Sequence, residues 1–279
     1  LTTHWYASHK TWLAYVLSPF ARYFSAMVTI RRFYHQKKYL LVIHASCPVI
    51  VVGNITVGGV GKTPFVISLY FFLKERGWNP GIVSRGYKGE YRDFVFVTPT
   101  SDPTDVGDEA VLLSRRTEGL VLVCRDRSRA VQVLSQQKGC NIILSDDGLQ
   151  HYAMYRDLEI AVCEARRQYG NGLCLPAGPL REPVSRLQRV DIVAVNGGHE
   201  AEASFHLQPV SFVNVLDASI SYPLDFLQGK NIYAMTGIGA PQRFFDSLDQ
   251  LGANVTPLVF QIIIHLRPKI LLLFLTKMS

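Results

Sequence analysis

The stretch from residue 49 to residue 64 constrains this chain more than any other. Four apolar residues, Val49-Ile50-Val51-Val52, run into Gly53-Asn54-Ile55-Thr56-Val57-Gly58-Gly59-Val60-Gly61-Lys62-Thr63-Pro64, and a helical pattern follows. Apolar strand, glycine-rich turn, Lys-Thr and helix is the order in which a phosphate-binding loop is built. The glycines let backbone N–H groups converge on phosphate oxygens, and the helix N-terminus adds partial positive charge. Thr56, Val57, Gly58, Gly59, Val60, Gly61, Lys62 and Thr63 are therefore expected to wrap the phosphates of a nucleotide. Lys62 would reach the β- and γ-phosphates, and the Thr63 hydroxyl would ligate Mg2+. One position departs from the G-x-x-x-x-G-K-[ST] pattern: Thr56 stands where its first glycine belongs.

Short apolar runs alternate with helical patterns on either side of this loop, which predicts an α/β fold with a mainly parallel sheet flanked by helices, P-loop NTPase-like. Strands are expected at 49–54, 81–84, 120–124, 141–145, 158–163, 191–195 and 231–235, and helices at 63–76, 108–116, 128–137 and 241–251. Residues 165–190, rich in Gly, Pro and Arg, read as a long functional loop. A boundary near 199–210 precedes a smaller α/β piece. The expected division is an N-terminal helix in 1–40, a phosphate-loop domain in 41–205, and a smaller, incomplete domain in 206–279. Disorder and collagen-like repeats are excluded by 48% hydrophobic residues and the lack of a glycine period. The five cysteines form no C-x-x-C pair, which argues against a zinc ribbon or a disulfide framework.

Carboxylates sit where a phosphate loop needs them. The run Cys140-Asn141-Ile142-Ile143-Leu144-Ser145-Asp146-Asp147-Gly148 is a buried-type strand ending in two acids. Such a strand end holds Mg2+ in phosphate-loop enzymes, which makes Asp146 and Asp147 metal candidates beside Thr63. Val106-Gly107-Asp108-Glu109 puts two more acids at a helix start, where helix-dipole complementarity would also favour them. Ser84-Arg85-Gly86-Tyr87 and Arg125-Asp126-Arg127 each end a strand, where ligands gather in parallel sheets. Gln150-His151 and Arg181-Glu182 complete the set.

Charge is unevenly spread. Residues 1–74 hold eight Lys or Arg and no acid, whereas the rest of the chain carries 21 basic and 22 acidic side chains, within a net charge of +7. A basic excess at one end suggests an anionic surface. Within residues 11–30, Ser18, Arg22, Ser25 and Thr29 recur at helical spacing, with Trp12, Val16, Phe20, Tyr23, Met27 and Ile30 largely opposite them. Arg31, Arg32, Lys37 and Lys38 follow. This pattern predicts an interfacial helix with aromatic anchors and a basic edge for anionic headgroups, rather than a nucleic-acid surface. Arg22 and Pro19 make a spanning helix less comfortable. A soluble amphipathic helix packed on its own domain is the competing reading.

The motifs in series resemble those of the tetraacyldisaccharide 4′-kinase family. The resemblance is carried by residues 52–64, by Gly81-Ile82-Val83-Ser84-Arg85-Gly86-Tyr87, by Val106-Gly107-Asp108-Glu109, and by Ser145-Asp146-Asp147-Gly148-Leu149-Gln150-His151. Pro176-Ala177-Gly178-Pro179-Leu180-Arg181-Glu182-Pro183 and residues 237–245 add to it, and Thr56 is normal for that family. The resemblance implies transfer of the ATP γ-phosphate to the 4′-hydroxyl of an acylated disaccharide 1-phosphate, at the cytoplasmic face of a bacterial inner membrane, by a protein peripheral to it or anchored by one helix. It implies Asp108, Lys62 and Asp147 as catalytic residues, Asp108 helping to take the hydroxyl proton. Arg85, Glu109, Arg125, His151, Arg181 and Glu182 are implied as phosphate or substrate contacts. No guanine-type N-K-x-D element is present, which argues against a GTPase.

After Phe260 the resemblance stops. The family continues with a Pro-Asp-His-His-Pro-Phe-like stretch, one histidine of which pairs with the catalytic aspartate. Here Gln261-Ile262-Ile263-Ile264-His265-Leu266 stands instead. Rereading each codon one nucleotide upstream permits the expected residues, so 261–279 are expected to be out of frame. The alternative function is then a catalytically impaired or non-catalytic nucleotide-binding remnant.

Overall fold

A computed structural model describes residues 2–259 apart from 8, 38, 199–202, 218 and 237–240. The expectations for residues 261–279, and for the first part of the 237–245 motif, lie outside the described residues. A short α1 (Thr2–Trp5) precedes α2 (Trp12–Gln36), the long amphipathic helix. The phosphate-loop strand is β1 (Val49–Gly53), and α3 (Lys62–Glu75) leaves the loop. Next come β2 (Pro80–Ser84), β3 (Phe94–Val97), α4 (Pro103–Val106), α5 (Asp108–Thr117) and β4 (Leu120–Cys124). Then follow α6 (Arg127–Ser135), β5 (Ile142–Asp146), β6 (Leu158–Glu164), β7 (Ile192–Asn196) and β8 (Ala203–Phe205). These eight strands form one sheet in the order β3-β4-β2-β5-β1-β6-β7-β8, in which only the β3–β4 pair is antiparallel.

Side chains alternate across a strand, so a strand covered on both faces must be apolar throughout. β1 does this: Ile50 and Val52 enter a core beneath α3 and α5, while Val49 and Val51 enter a second core with α6. The central strands are read from sequence to within a residue or two at their ends. β3 is missed, because four residues of Phe-Val-Phe-Val at an antiparallel edge give too short a signal. The three residues of β8 give no signal at all.

Contacts divide the chain between Leu207 and Gln208, with the N-terminal helix in the same unit as the large sheet. The second unit holds β9 (Phe212–Val213) paired antiparallel with β10 (Ser221–Tyr222), then β11 (Asn231–Thr236), α7 (Pro241–Gln250) and β12 (Asn254–Val259). β11 and β12 pair in parallel across α7, over a core of Leu227, Ile232, Ala234, Phe245, Leu248 and Ala253. β12, broken in pattern by Pro257 and largely exposed, was not expected.

In α2 the buried positions are Ala14, Ala21 and Arg32, a seam of one helical face, with Phe24 packed on the second core. The small alanines let the helix lie close to the body. Trp12, Tyr15, Val16, Phe20, Tyr23, Met27 and Ile30 all point outward, Tyr23 with 73% of its surface exposed. The face expected to be apolar is thus the outward one. Ser18 and Ser25 are half-buried beside the seam, while Arg22 and Thr29 are exposed on its flank.

Candidate active site

Gly61, at φ +93°, ends the phosphate loop and lets Lys62 and Thr63 open α3. The loop is braced on two sides. Asn196, at the end of β7, donates its Nδ2 hydrogen to the Val60 carbonyl at 3.0 Å. On the other side Thr56 bridges Leu180 in antiparallel fashion; the Val57 amide donates to Pro179 O at 2.8 Å, and the Arg181 amide donates to Ile55 O at 2.7 Å. The long 165–190 loop contains only one 3-10 turn, Val184–Arg189, and works here as a second strand for the phosphate loop.

Lys62 reaches back across the loop. Its Nζ donates to Asn54 Oδ1 at 3.2 Å and lies 3.4 Å from Asp147 Oδ1. Arg181 Nη1 meets both oxygens of the same carboxylate, at 3.2 and 3.1 Å. Burial works to raise the Asp147 carboxyl, but Lys62 and Arg181 outweigh it and hold it below the usual range. Two glycine-dependent contacts bring the motifs together. A Cβ on Gly53 would meet Leu149 Cβ at 2.6 Å, so the carboxylate turn presses directly on the end of β1. Gly107, at φ +87°, crosses Gly86-Tyr87 so closely that a Cβ would lie 2.8 Å from Tyr87 O.

The two adjacent acids face different ways. Asp147 sits in the left-handed region at φ +52°, half-buried among cations. Asp146 is 2% exposed, and its Oδ1 is buried without a hydrogen-bond partner. Burial pushes its carboxyl up to about 6, against the pull of Lys62. An orphaned buried carboxylate oxygen at a strand end, beside a loop that opens on a threonine, fits a divalent cation. Among the described residues no group of three or more His, Cys, Asp or Glu stands ready to hold an ion. Mg2+ is commonly bound through one or two carboxylates together with phosphate oxygens and waters, which suits this donor set.

The other expected residues separate into rim and interior. Asp108 and Glu109 begin α5 and are exposed. Partial desolvation still lifts the Glu109 carboxyl, and Lys62 draws it down. Arg85 and Arg125 are exposed at the rim, Arg125 lying 5.8 Å over the ring of Tyr91, whose hydroxyl donates to Arg85 O. His151 lies 3.7 Å from Asp126 and 3.4 Å from Ser128 Oγ. Burial, with Arg127 second, pushes its imidazole down to about 4 despite that carboxylate, so the contact with Asp126 is made by a neutral ring. Glu182 lies in the interior. It is 0% exposed, and its carboxylate accepts from Gln150 Nε2 at 2.9 Å and from the Tyr152 hydroxyl, with Arg186 Nε at 3.5 Å and Arg32 Nη1 at 3.9 Å. A carboxylate so enclosed ties α2 to the 150–152 and 182–186 segments.

The family model for tetraacyldisaccharide-1-P 4′-kinase matches residues 13–261. The chain belongs to this family. Its members include the tetraacyldisaccharide 4′-kinase of Methylobacillus flagellatus, 46% identical over 258 residues that cover 91% of this chain and 76% of the relative. That of Halorhodospira halophila is 48% identical over 245 residues, covering 87% of this chain and 73% of the relative. The crystal structure of LpxK from Aquifex aeolicus in complex with ATP superposes with a TM-score of 0.75 at 26% identity, over 92% of this chain and 85% of that one. The chain thus shares the P-loop NTPase-like fold of this kinase family, and ATP is the nucleotide that such kinases use.

Four residues at this kinase-family site take roles that the sequence did not assign to them. Asn54, fully buried, splints the loop by donating Nδ2 to Thr56 O at 2.8 Å and holding Lys62 by Oδ1. Gln150 donates to both Asn54 O and Glu182, each at 2.9 Å. Arg127, not its neighbour Arg125, turns inward, donating to Ser145 Oγ at 3.2 Å and to Asp146 O. Arg32 was read as a headgroup contact, yet it is 5% exposed and faces Glu182. Asn54, Gln150 and Arg127 lie within runs legible in the sequence, but the partners they hold do not.

Proposed function

We propose that this chain transfers the γ-phosphoryl group of ATP to the 4′-hydroxyl of a tetraacyldisaccharide 1-phosphate in lipid A synthesis. The observation that carries the reading is the braced phosphate loop whose Lys62 meets, with Arg181, the Asp147 carboxylate at one sheet end, in a chain of this kinase family. Little covalent chemistry falls to the protein in phosphoryl transfer, so positioning and charge dominate. Loop amides 56–61 and Lys62 hold the phosphates; Asp108, exposed at the start of α5, takes the proton from the sugar hydroxyl. Thr63 and Asp146, with Asp147 adjacent, would hold Mg2+, which when bound offsets charge on the transferring group. Arg181, Arg85, Arg125 and His151 line the side on which the sugar phosphate approaches.

We assign residues 1–40 to a membrane-associated helix, 41–205 to the catalytic domain and 206–279 to a smaller domain. α2 is the one described helix long and apolar enough to cross a membrane. Its buried positions run from Ala14 to Arg32, which supports a helix lying along the cytoplasmic face with its aromatic stripe in the lipid.

The departure after Phe260 supports a second reading, a nucleotide-binding remnant without transfer. Both are tested by ATP-dependent phosphorylation of an acylated disaccharide 1-phosphate, by this chain and by one with the downstream frame restored. Activity rising about 10²–10⁴-fold on restoration is expected, the scale of a missing general-base partner. ATP binding without transfer by either protein would establish the remnant. Equal activity in both would remove the role given to the tail.

A further inference from the structure

The phosphate loop has a third support besides Asn196 and the 179–181 segment. A Cβ on Gly58 or Gly59 would meet nothing within 4 Å, so packing does not confine this part of the loop, and glycine restricts its own backbone little. What fixes the direction of these amides is the hold on their flanks. Asn196 holds Val60 O, and Pro179 O holds the Val57 amide. The Val57 carbonyl is met from the other end of the chain, by the Tyr6 hydroxyl, which donates to it at 3.5 Å. Arg167 lies 5.2 Å over the Tyr6 ring, and Tyr6, Arg167, Gln168 and the buried Glu164 close round loop residues 56–60. The space left among them is about 10 Å³, room for no more than one water. Tyr6 is itself placed by Trp5, the last residue of α1. Trp5 Nε1 donates to Pro176 O at 3.1 Å, and the Trp5 carbonyl accepts from the Asn171 amide at 2.8 Å. Gly170, at φ +56°, passes so close that a Cβ would lie 2.6 Å from Trp5 O. The turn that grips Trp5 belongs to the same 165–190 loop that brings Pro179 to the Val57 amide.

We propose that Trp5 and Tyr6 are positioning residues for the nucleotide: Trp5 anchors the segment ahead of α2 in the 170–176 turn, and Tyr6 holds Val57 so that the Gly58 and Gly59 amides stay set for the ATP phosphates. The inference rests on the reading of residues 56–63 as the ATP loop. Such a brace touches no ligand. It lowers the cost of ordering the loop when ATP arrives, and so acts on ATP affinity. The loop holds the same phosphates before and during transfer, so loss of the brace raises the KM for ATP and leaves kcat nearly unchanged.

The test uses the full chain, free of nucleotide for amide hydrogen exchange and with Mg-ATP for equilibrium binding and kinetics. Tyr6→Ala should speed exchange in the 55–61 peptide of the nucleotide-free chain. It should also weaken ATP binding about three- to tenfold, the range of one hydrogen bond. Tyr6→Phe, which keeps the ring beneath Arg167, should lose less. Trp5→Ala should repeat the Tyr6→Ala result from a residue anchored in the 170–176 turn instead. For the Tyr6 variants, the unfolding temperature and the KM for the acylated disaccharide should not move. A lower unfolding temperature, with ATP affinity and loop exchange unchanged, would overturn the proposal and leave a purely structural contact. Faster loop exchange at unchanged ATP affinity would overturn it as well, because the brace would then do nothing for the nucleotide. Weaker ATP binding by the variants, with no transfer to the disaccharide by the unmodified chain, would uphold the brace and remove the kinase reading alone.

Discussion

Lys62 is held by Asn54 and Asp147, which fix the direction of its ammonium. Preorganised charge of this kind adds rate because it needs no rearrangement as charge develops. Lys62→Met is therefore expected to cost about 10²–10³ in kcat, the scale seen when one such donor is removed. Steady-state kinetics on the acylated disaccharide, together with equilibrium ATP binding, check this. His151 makes a different prediction. Its imidazole sits at about 4 in the folded chain against an ordinary value near 6.5, because burial and Arg127 disfavour the cation. The unfolded chain then takes up the proton first as pH falls. The stability that His151 contributes is complete above about 6.5 and is lost progressively as pH drops toward about 4. Thermal unfolding of the His151→Gln protein should lack that part of the slope between those values.

The elements around the site work by bracing one another. Glu182 follows Arg181 in sequence but faces the opposite way, into Arg186, Tyr152, Gln150 and the Arg32 of α2. Removing one partner from a buried charge cluster leaves the others unpaired. Glu182→Ala should destabilise the first unit by about 3–5 kcal/mol, read by urea unfolding, while Glu182→Gln, which keeps hydrogen bonding, should cost less. This is also where sequence reasoning reached its limit. The ends of β1 and β5 were legible because they carry long apolar runs broken by Gly or Asp. The place of Lys62 at the start of α3 and of Asp108 at the start of α5 was legible from their motifs. Whether Glu182 faces substrate or core depends on Tyr152 and Arg186, contacts made across 30 and 4 residues that no local pattern encodes. Arg127 and Arg125 flank one aspartate and read alike; only packing under β5 separates them. On α2 the two faces were correctly separated, but which one meets the protein was settled by the small side chains of Ala14 and Ala21.

At the scale of the whole molecule, charge and apolar surface coincide at one end of the sequence. Lys10, Arg22, Arg31 and Lys37 sit on or near the helix whose aromatic stripe is exposed. Binding to anionic vesicles should therefore combine an apolar and an electrostatic part, each basic residue near the surface contributing about 1 kcal/mol. Replacing Trp12, Phe20 and Tyr23 with serine should abolish co-sedimentation with phosphatidylglycerol vesicles, with ATP affinity preserved. Raising salt should weaken the unmodified chain's binding without abolishing it. The bracing of the phosphate loop has one more consequence, for synthesis. Val57 is tied to Pro179, and Ile55 to Arg181, so the loop's supporting segment is translated more than 120 residues later. At about 5–20 residues per second the ribosome needs roughly 6–25 s to cover that distance. During that interval the nascent chain carries its nucleotide motif unsupported, beside an N-terminal helix that has already been made.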